Sequence, residues 1–350
     1  MSGTFLRLAC TAAVAAQAAL APVPCVAAPN PQRPVSQLLT DLQQLYRQTE
    51  QATESYNATA DKLKRQRAEV SRLEGELTRA RLALQDSRTD AGRLARRQYQ
   101  GSTELDPYVR VLLAPDPQHA LDEGHVIGEL ARERARTVNR LAAAEKRQDT
   151  LARAAREALD TQLTLADRQR RQRDDVQGRL GAVERLLASL TPDQLAAIAR
   201  LEQQGVTEAQ DRLTTAGALP DNRSASPAGA RAVRYAMDQL GKPYRWGAQG
   251  PNAYDCSGLT SQAWSHAGTP IPRTSQEQWA RLKKVPLNRL RPGDLVIYFP
   301  EATHVAMYVG AGRVVQAPRP GGRVTVSPLA SFPILGAVRP DPQAPATEPG

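Results

Sequence analysis

Leu295-Val-Ile-Tyr-Phe299, His304-Val-Ala-Met-Tyr-Val309, Arg313-Val-Val-Gln-Ala317 and Arg323-Val-Thr-Val326 follow one another closely, each apolar or alternating at strand length and separated by glycine and proline. Short strands joined by turn-length connections predict an antiparallel sheet. The turn at Gly310-Ala311-Gly312 folds the third run back on the second, bringing His304, which opens one strand, toward Gln316 on the next.

Upstream of these runs, Arg231 to Leu240 reads as a helix closed by Gly241. Tyr244-Arg245-Trp246-Gly247 then enters a loop rich in glycine and proline, which delivers Asp255-Cys256, and Ser257 to His266 reads as a second helix ended by Gly268. Cys256 therefore stands at a helix N-terminus, where free N–H groups and the macrodipole favour a thiolate, the attacking form of cysteine. His304 is the expected base, and Gln316 can hold its imidazole in the tautomer that faces sulfur. His266 is the rival base, but it lies about 15 Å down the same helix from Cys256. Asp255 reads equally well as the cap of this helix, and Tyr244 and Trp246 as core aromatics.

Cys256 also stands out by count. The chain has three cysteines, and Cys10 and Cys25 fall within residues 1–28, which read as a signal peptide. Arg7 gives a positive start, Leu8 to Ala21 an apolar run, and Val26-Ala27-Ala28 a small-residue cleavage site. Export would leave one unpaired thiol.

The motifs Gly241-Lys-Pro-Tyr-Arg-Trp-Gly247, Asp255-Cys-Ser-Gly-Leu259, Pro272-Arg-Thr-Ser275, Pro292-Gly-Asp-Leu295 and His304-Val-Ala-Met-Tyr-Val-Gly310 occur in that order. Over residues 228–340 the sequence thereby resembles the NlpC-type family of papain-like cell-wall peptidases. The resemblance implies a small α+β domain that cleaves peptidoglycan stem peptides, typically between D-glutamate and a diamino acid. It also implies Cys256 as nucleophile, His304 as base, Gln316 as the third polar residue, and Tyr244, Asp255 and Ser257 as substrate-binding residues. No cofactor or metal is implied. The sequence departs from the family pattern at Gln316, where histidine is frequent, and at Ala248, where a second glycine is frequent after Trp246-Gly247.

Residues 36–212 have a different character, rich in Ala, Leu, Arg, Gln and Glu. From Leu38 to Leu94, steps of four and three place Leu38, Leu42, Leu45, Ala52, Tyr56, Leu63, Val70, Leu73, Leu77, Ala80, Leu84, Ala91 and Leu94 on one seam, the signature of a coiled coil. A second, thinner seam runs from Leu121 to Leu190. Gly101, Pro107, Pro115 and Pro117 break the helix between them. The expectation is a long coiled-coil hairpin followed by an α+β papain-like domain with an antiparallel sheet. Arms of this kind precede the domain in actinobacterial wall hydrolases that the sequence resembles, and restraint of the enzyme is the role expected here, with a spacer as the plain alternative. Tyr108, Val109, Val111, Leu112 and Leu113 form an apolar patch at the tip, where a regulatory membrane or divisome partner could bind. His119 and His125 lack further ligands at metal spacing and read as surface or packing residues.

Residues 213–227 read as a flexible linker and 341–350 as a disordered tail. Residues 228–340 hold fourteen Lys or Arg against five Asp or Glu, nearly all of the chain's net charge of +10. Such a surplus suits an anionic cell wall, and no stacking aromatics or motif point to nucleic acid. The composite expectation is a secreted, wall-associated cysteine endopeptidase. An acyltransferase or amidase on another wall or lipid substrate, and a non-catalytic wall-binding scaffold, are the alternatives.

Overall fold

The computed structural model describes residues 33–100, 109, 116–219 and 223–342. The signal-peptide reading, most of the tip patch, the breakers Gly101, Pro107 and Pro115, and nearly all of the tail lie outside the described residues.

Helix α1 spans Val35–Gln100 and α2 spans Pro117–Ala188. At 1.5 Å per residue each is about 100 Å long. They pack antiparallel, because Leu38 and Leu42 at the start of α1 cluster with Val183 near the end of α2, while Val70 and Leu73 meet Ala158 farther out. The buried residues of α1 include Leu38, Leu42, Ala52, Leu63, Val70, Leu73, Leu77, Ala80 and Leu84, all on the expected seam. On α2 only Thr137, Ala158, Val176 and Val183 are buried, consistent with its alanine-rich face. The arginine-rich stretch of α2 is a solvated face, with Arg171 paired to Asp167 and Arg173 to Asp174. His119 pairs with Asp116, the residue that caps α2.

The structure adds a third helix. Helix α3, Pro192–Thr215, starts at a capping box in which Thr191 and Gln194 satisfy each other's backbone N–H. The segment expected as a free tether is partly docked, since Leu213 and Leu219 pack against the core of the following domain.

That domain begins with α4 (Pro227–Met237) and α5 (Cys256–His266). It continues with α6 (Ser275–Arg281) and six strands: β1 (Lys283–Val285), β2 (Leu295–Tyr298), β3 (His304–Gly310), β4 (Arg313–Gln316), β5 (Thr325–Pro328) and β6 (Ile334–Arg339). The sheet order is β1-β6-β2-β3-β4-β5, and every neighbouring pair is antiparallel. The period-two pattern of the central strands divides them between two cores. Leu295, Ile297, Val305, Met307 and Val315 face α4 and α5, with Trp264 at the centre. Val296, Tyr298, Ala306, Tyr308 and Val314 face the other way, toward Leu290, Leu329 and the incoming Leu213 and Leu219. With both faces buried, β2 and β3 have almost no exposed position, which is why they read as apolar runs.

Candidate active site

Helix α5 begins at Cys256, and Asp255 is its cap: an Asp255 oxygen accepts the Gly258 N–H at 2.6 Å. The loop before it is fixed by the Asp255 N–H, which donates to the Ala248 carbonyl at 3.0 Å. Gly258 is required by this approach, since a Cβ there would lie 2.2 Å from the same carbonyl. Within the loop it is Gly247, at φ +75°, that takes the left-handed conformation, so the methyl of Ala248 is accommodated. The Cys256 thiol ends up buried, with the Val305 N–H directed at it.

His304 sits opposite Tyr298 at the start of β3, and Gln316 closes β4. The Nε2 of His304 is 2.7 Å from Gln316 Oε1. Gln316 donates its own amide to Ser327 Oγ at 2.9 Å, which fixes the carbonyl end toward the imidazole. Nε2 is thereby the protonated nitrogen, and Nδ1 is left to act on sulfur. Phe332 and Tyr298 hold the ring from its sides, at centroid distances of 5.0 and 5.7 Å. The rival His266 is instead stacked on Tyr235 at 4.2 Å.

Tyr244, Asp255 and Ser257 are also brought here. All three are buried, and the Tyr244 hydroxyl has no hydrogen-bond partner among the described residues. The group missing from the sequence-based site is Arg273. Its guanidinium grips both Asp255 oxygens, at 3.1 and 2.7 Å, and also donates to Ser257 Oγ at 2.8 Å. Arg273 lies within the Pro272-Arg-Thr-Ser275 motif, so the signal was present without a role attached to it.

Helix α1 crosses this site. Its residues Glu50, Thr53, Glu54 and Asn57, spaced to share one face, are all buried. Glu54 accepts from Ser257 Oγ and from the Ser275 N–H, both at 2.7 Å, and its Oε1 is 3.9 Å from the Cys256 sulfur. Asn57 donates to Asp255 at 3.0 Å. Glu50 Oε1 lies 3.3 Å from Nδ1 of His304, an ion-pair approach that lacks hydrogen-bond alignment. Tyr56 packs edge-on against Trp246 at 5.0 Å, so Trp246 is half-buried beneath the arm rather than deep in the core. Helix α3 fastens the same assembly elsewhere. Glu202 grips Arg319 at 2.9 and 3.1 Å, Arg319 lies over the Tyr46 ring, and Gln210 bridges the Gly312 carbonyl and the Ala330 N–H.

The electrostatics follow from this crowding. Burial, then the Asp255 charge, pushes Glu54 up to about 7. Burial also pushes the Cys256 thiol well above its usual range, and Glu54, Asp255 and Glu50 add to the effect while the Val305 N–H opposes it. For His304 burial pulls downward, but the Glu50 carboxylate and Gln316 outweigh it and the imidazole is raised. Arg273 resists its own desolvation because Asp255 is paired with it, and it stays charged.

A family model described as the NlpC/P60 family matches residues 241–334. The C-terminal domain of this chain belongs to the NlpC/P60 family. Residues 241–334 include Cys256, His304 and Gln316, so the thiol, the imidazole and its amide partner all lie inside the matched NlpC/P60 region. A protein of Corynebacterium glutamicum named probable endopeptidase Cgl2188 is 44% identical over 115 residues, covering 33% of this chain and 55% of that protein. The peptidoglycan endopeptidase RipA of Mycolicibacterium smegmatis is 37% identical over 111 residues, covering 28% of this chain and 22% of the relative. The chain thus spans about half the length, or less, of the curated relatives it matches. Among solved structures, the NlpC/p60 domain of the peptidoglycan hydrolase SagA is 32% identical, covers 32% of this chain and 97% of its own, and superposes with a TM-score of 0.30. RipD of Mycobacterium tuberculosis, described as a non-catalytic NlpC/p60 domain protein adapted to peptidoglycan binding, is 29% identical with a TM-score of 0.30, covering 33% and 98%.

Proposed function

We propose that the protein is a secreted cysteine endopeptidase of the cell wall, cleaving γ-D-glutamyl-diamino-acid bonds in peptidoglycan stem peptides through an acyl-enzyme, in wall remodelling or cell separation. The observation that carries this reading is Cys256 at the N-terminus of α5 together with His304, held by Gln316 through Nε2. In the proposed reaction Nδ1 of His304 takes the thiol proton, and sulfur attacks the carbonyl carbon of the scissile amide. The resulting imidazolium returns that proton to the departing amine as the C–N bond breaks, leaving a thioester. Water, deprotonated by the same nitrogen, then attacks the thioester carbonyl, releasing a carboxylate product and the restored thiol. The domain's surplus of basic residues suits a polyanionic wall, and the name of one curated relative, the peptidoglycan endopeptidase RipA, supports the same substrate.

A chain beginning at residue 190, which keeps α3 and its contacts through Glu202 and Gln210 with the catalytic domain, tests this against its Cys256→Ala counterpart. Purified wall fragments are digested and the products read by mass spectrometry. The expected pair is one fragment ending in D-glutamate and one bearing the freed amine of the diamino acid, formed only with the cysteine present. Products independent of Cys256, or none, would refute the reading.

A further inference from the structure

Two carboxylates of α1 stand against the two groups that the reaction needs. Glu50 is on the imidazole nitrogen that would accept the thiol proton, and Glu54 is beside the sulfur itself. Neither position follows from packing the helical hairpin, whose apolar seam lies on other residues. Burying a carboxylate is costly unless it is well paired, yet the guanidinium acting on Glu54, Arg273, is already committed to Asp255, and the one acting on Glu50, Arg319, to Glu202. What holds Glu54 is the catalytic domain's own Ser257 hydroxyl and Ser275 N–H. Thr53 and Asn57 complete the same face, and Asn57 reaches Asp255. Away from this domain, a helix with Glu50, Thr53, Glu54 and Asn57 in one stripe would present them to water. Their burial is explained only by the site that they cover.

We infer that Glu50 and Glu54 form a two-carboxylate plug by which the arm switches off the Cys256–His304 pair. The plug does more than cover the site. A thiolate–imidazolium pair stabilises itself by mutual attraction. Glu50 supplies the imidazolium with a different anion, and Glu54, which ionises around pH 7 in the closed site, then places a negative charge where the thiolate would develop. The closed state therefore favours a neutral, unreactive thiol, and catalysis begins with withdrawal of α1. The other charged or titratable groups around the plug are Asp255, Tyr244, Arg273 and, behind Glu50, Arg319 with its partners Glu202 and Tyr46. The inference rests on the reading of Cys256 and His304 as nucleophile and base, but its test is independent of any substrate.

The test is the rate at which iodoacetamide alkylates Cys256 in the full chain, read on the peptide containing it by mass spectrometry. Wild type is compared with Glu50→Ala/Glu54→Ala and with Glu50→Gln/Glu54→Gln, which keeps the side-chain shapes and removes both charges. Both double variants are expected to react at least about tenfold faster than wild type, the change expected from a tenfold larger thiolate fraction. If neither variant reacts faster, the plug is wrong, whatever the enzyme does to a wall. If both react faster while the shortened chain cleaves no wall, the plug stands and the proposed function falls.

Discussion

Glu50 of α1 and His304 of β3, 254 positions apart in the sequence, meet with an oxygen–nitrogen separation of 3.3 Å in a fully buried setting. The imidazole is held on its other side by Gln316 at 2.7 Å. One ring nitrogen therefore belongs to the catalytic domain's own framework and the other to the arm. This division separates the consequences of changing Gln316 from those of changing the arm.

Gln316→Ala removes the group that fixes the tautomer. In the chain starting at residue 190, turnover on muropeptides is expected to lose part of the roughly 10²–10⁴-fold that a positioned base contributes, with KM little changed. Unchanged kcat would show that Phe332 and Tyr298 orient the ring by themselves.

Closing the arm should take up protons. Glu54 goes from an ordinary 4.5 to about 7 on burial in the closed site, so closed molecules hold an additional proton between these values. The closed state is therefore favoured most at low pH, and this contribution is lost as pH rises to about 7. His304, raised above its usual 6.5, acts with the same sign at somewhat higher pH. The ratio of Cys256 alkylation rates, full chain over shortened chain, should thus climb between about pH 5 and 8. A flat ratio would remove the proton-linked part of the account.

Arg273 and Asp255 form an ion pair with side-chain exposures of 8% and 0%. Arg273→Met would leave the Asp255 carboxylate buried without its cation, at a cost of about 3–5 kcal/mol, visible as a lowered midpoint in thermal or denaturant unfolding. Because Asp255 also caps α5, loss of cysteine reactivity in the shortened chain should accompany the loss of stability. A midpoint within error of wild type would mean that water replaces the guanidinium.

The parts of the site legible in the sequence were those governed by local rules. Alternation in 295–317 and the glycine turn at 310–312 placed His304 beside Gln316, and the Asp255 cap with Gly268 beyond the far end marked α5. Strand β6 is not legible in the sequence because Ile334–Arg339 lacks clean alternation, and it forms through distant pairing with β1 and β2. Helix α3 was locally announced by Thr191, Pro192 and Gln194, yet the hairpin pattern around it absorbed the signal. Arg273 has no role legible in the sequence, because Asp255 reads there as a cap or a substrate ligand, whereas in the structure it is a cap that is also ion-paired. Glu50 and Glu54 were invisible for a deeper reason. A heptad reading assigns every polar residue off the seam to water, and only the folded catalytic domain supplies another destination.

Helix α1 runs without a break from Val35 to Gln100. Glu50, Glu54 and Asn57 are therefore teeth on a single stiff bar and cannot let go one at a time without melting the helix between them. Unlatching should be a single event, passing from silent to fully competent with no half-active form between. Whatever displaces the arm would act as a trigger and not as a dial.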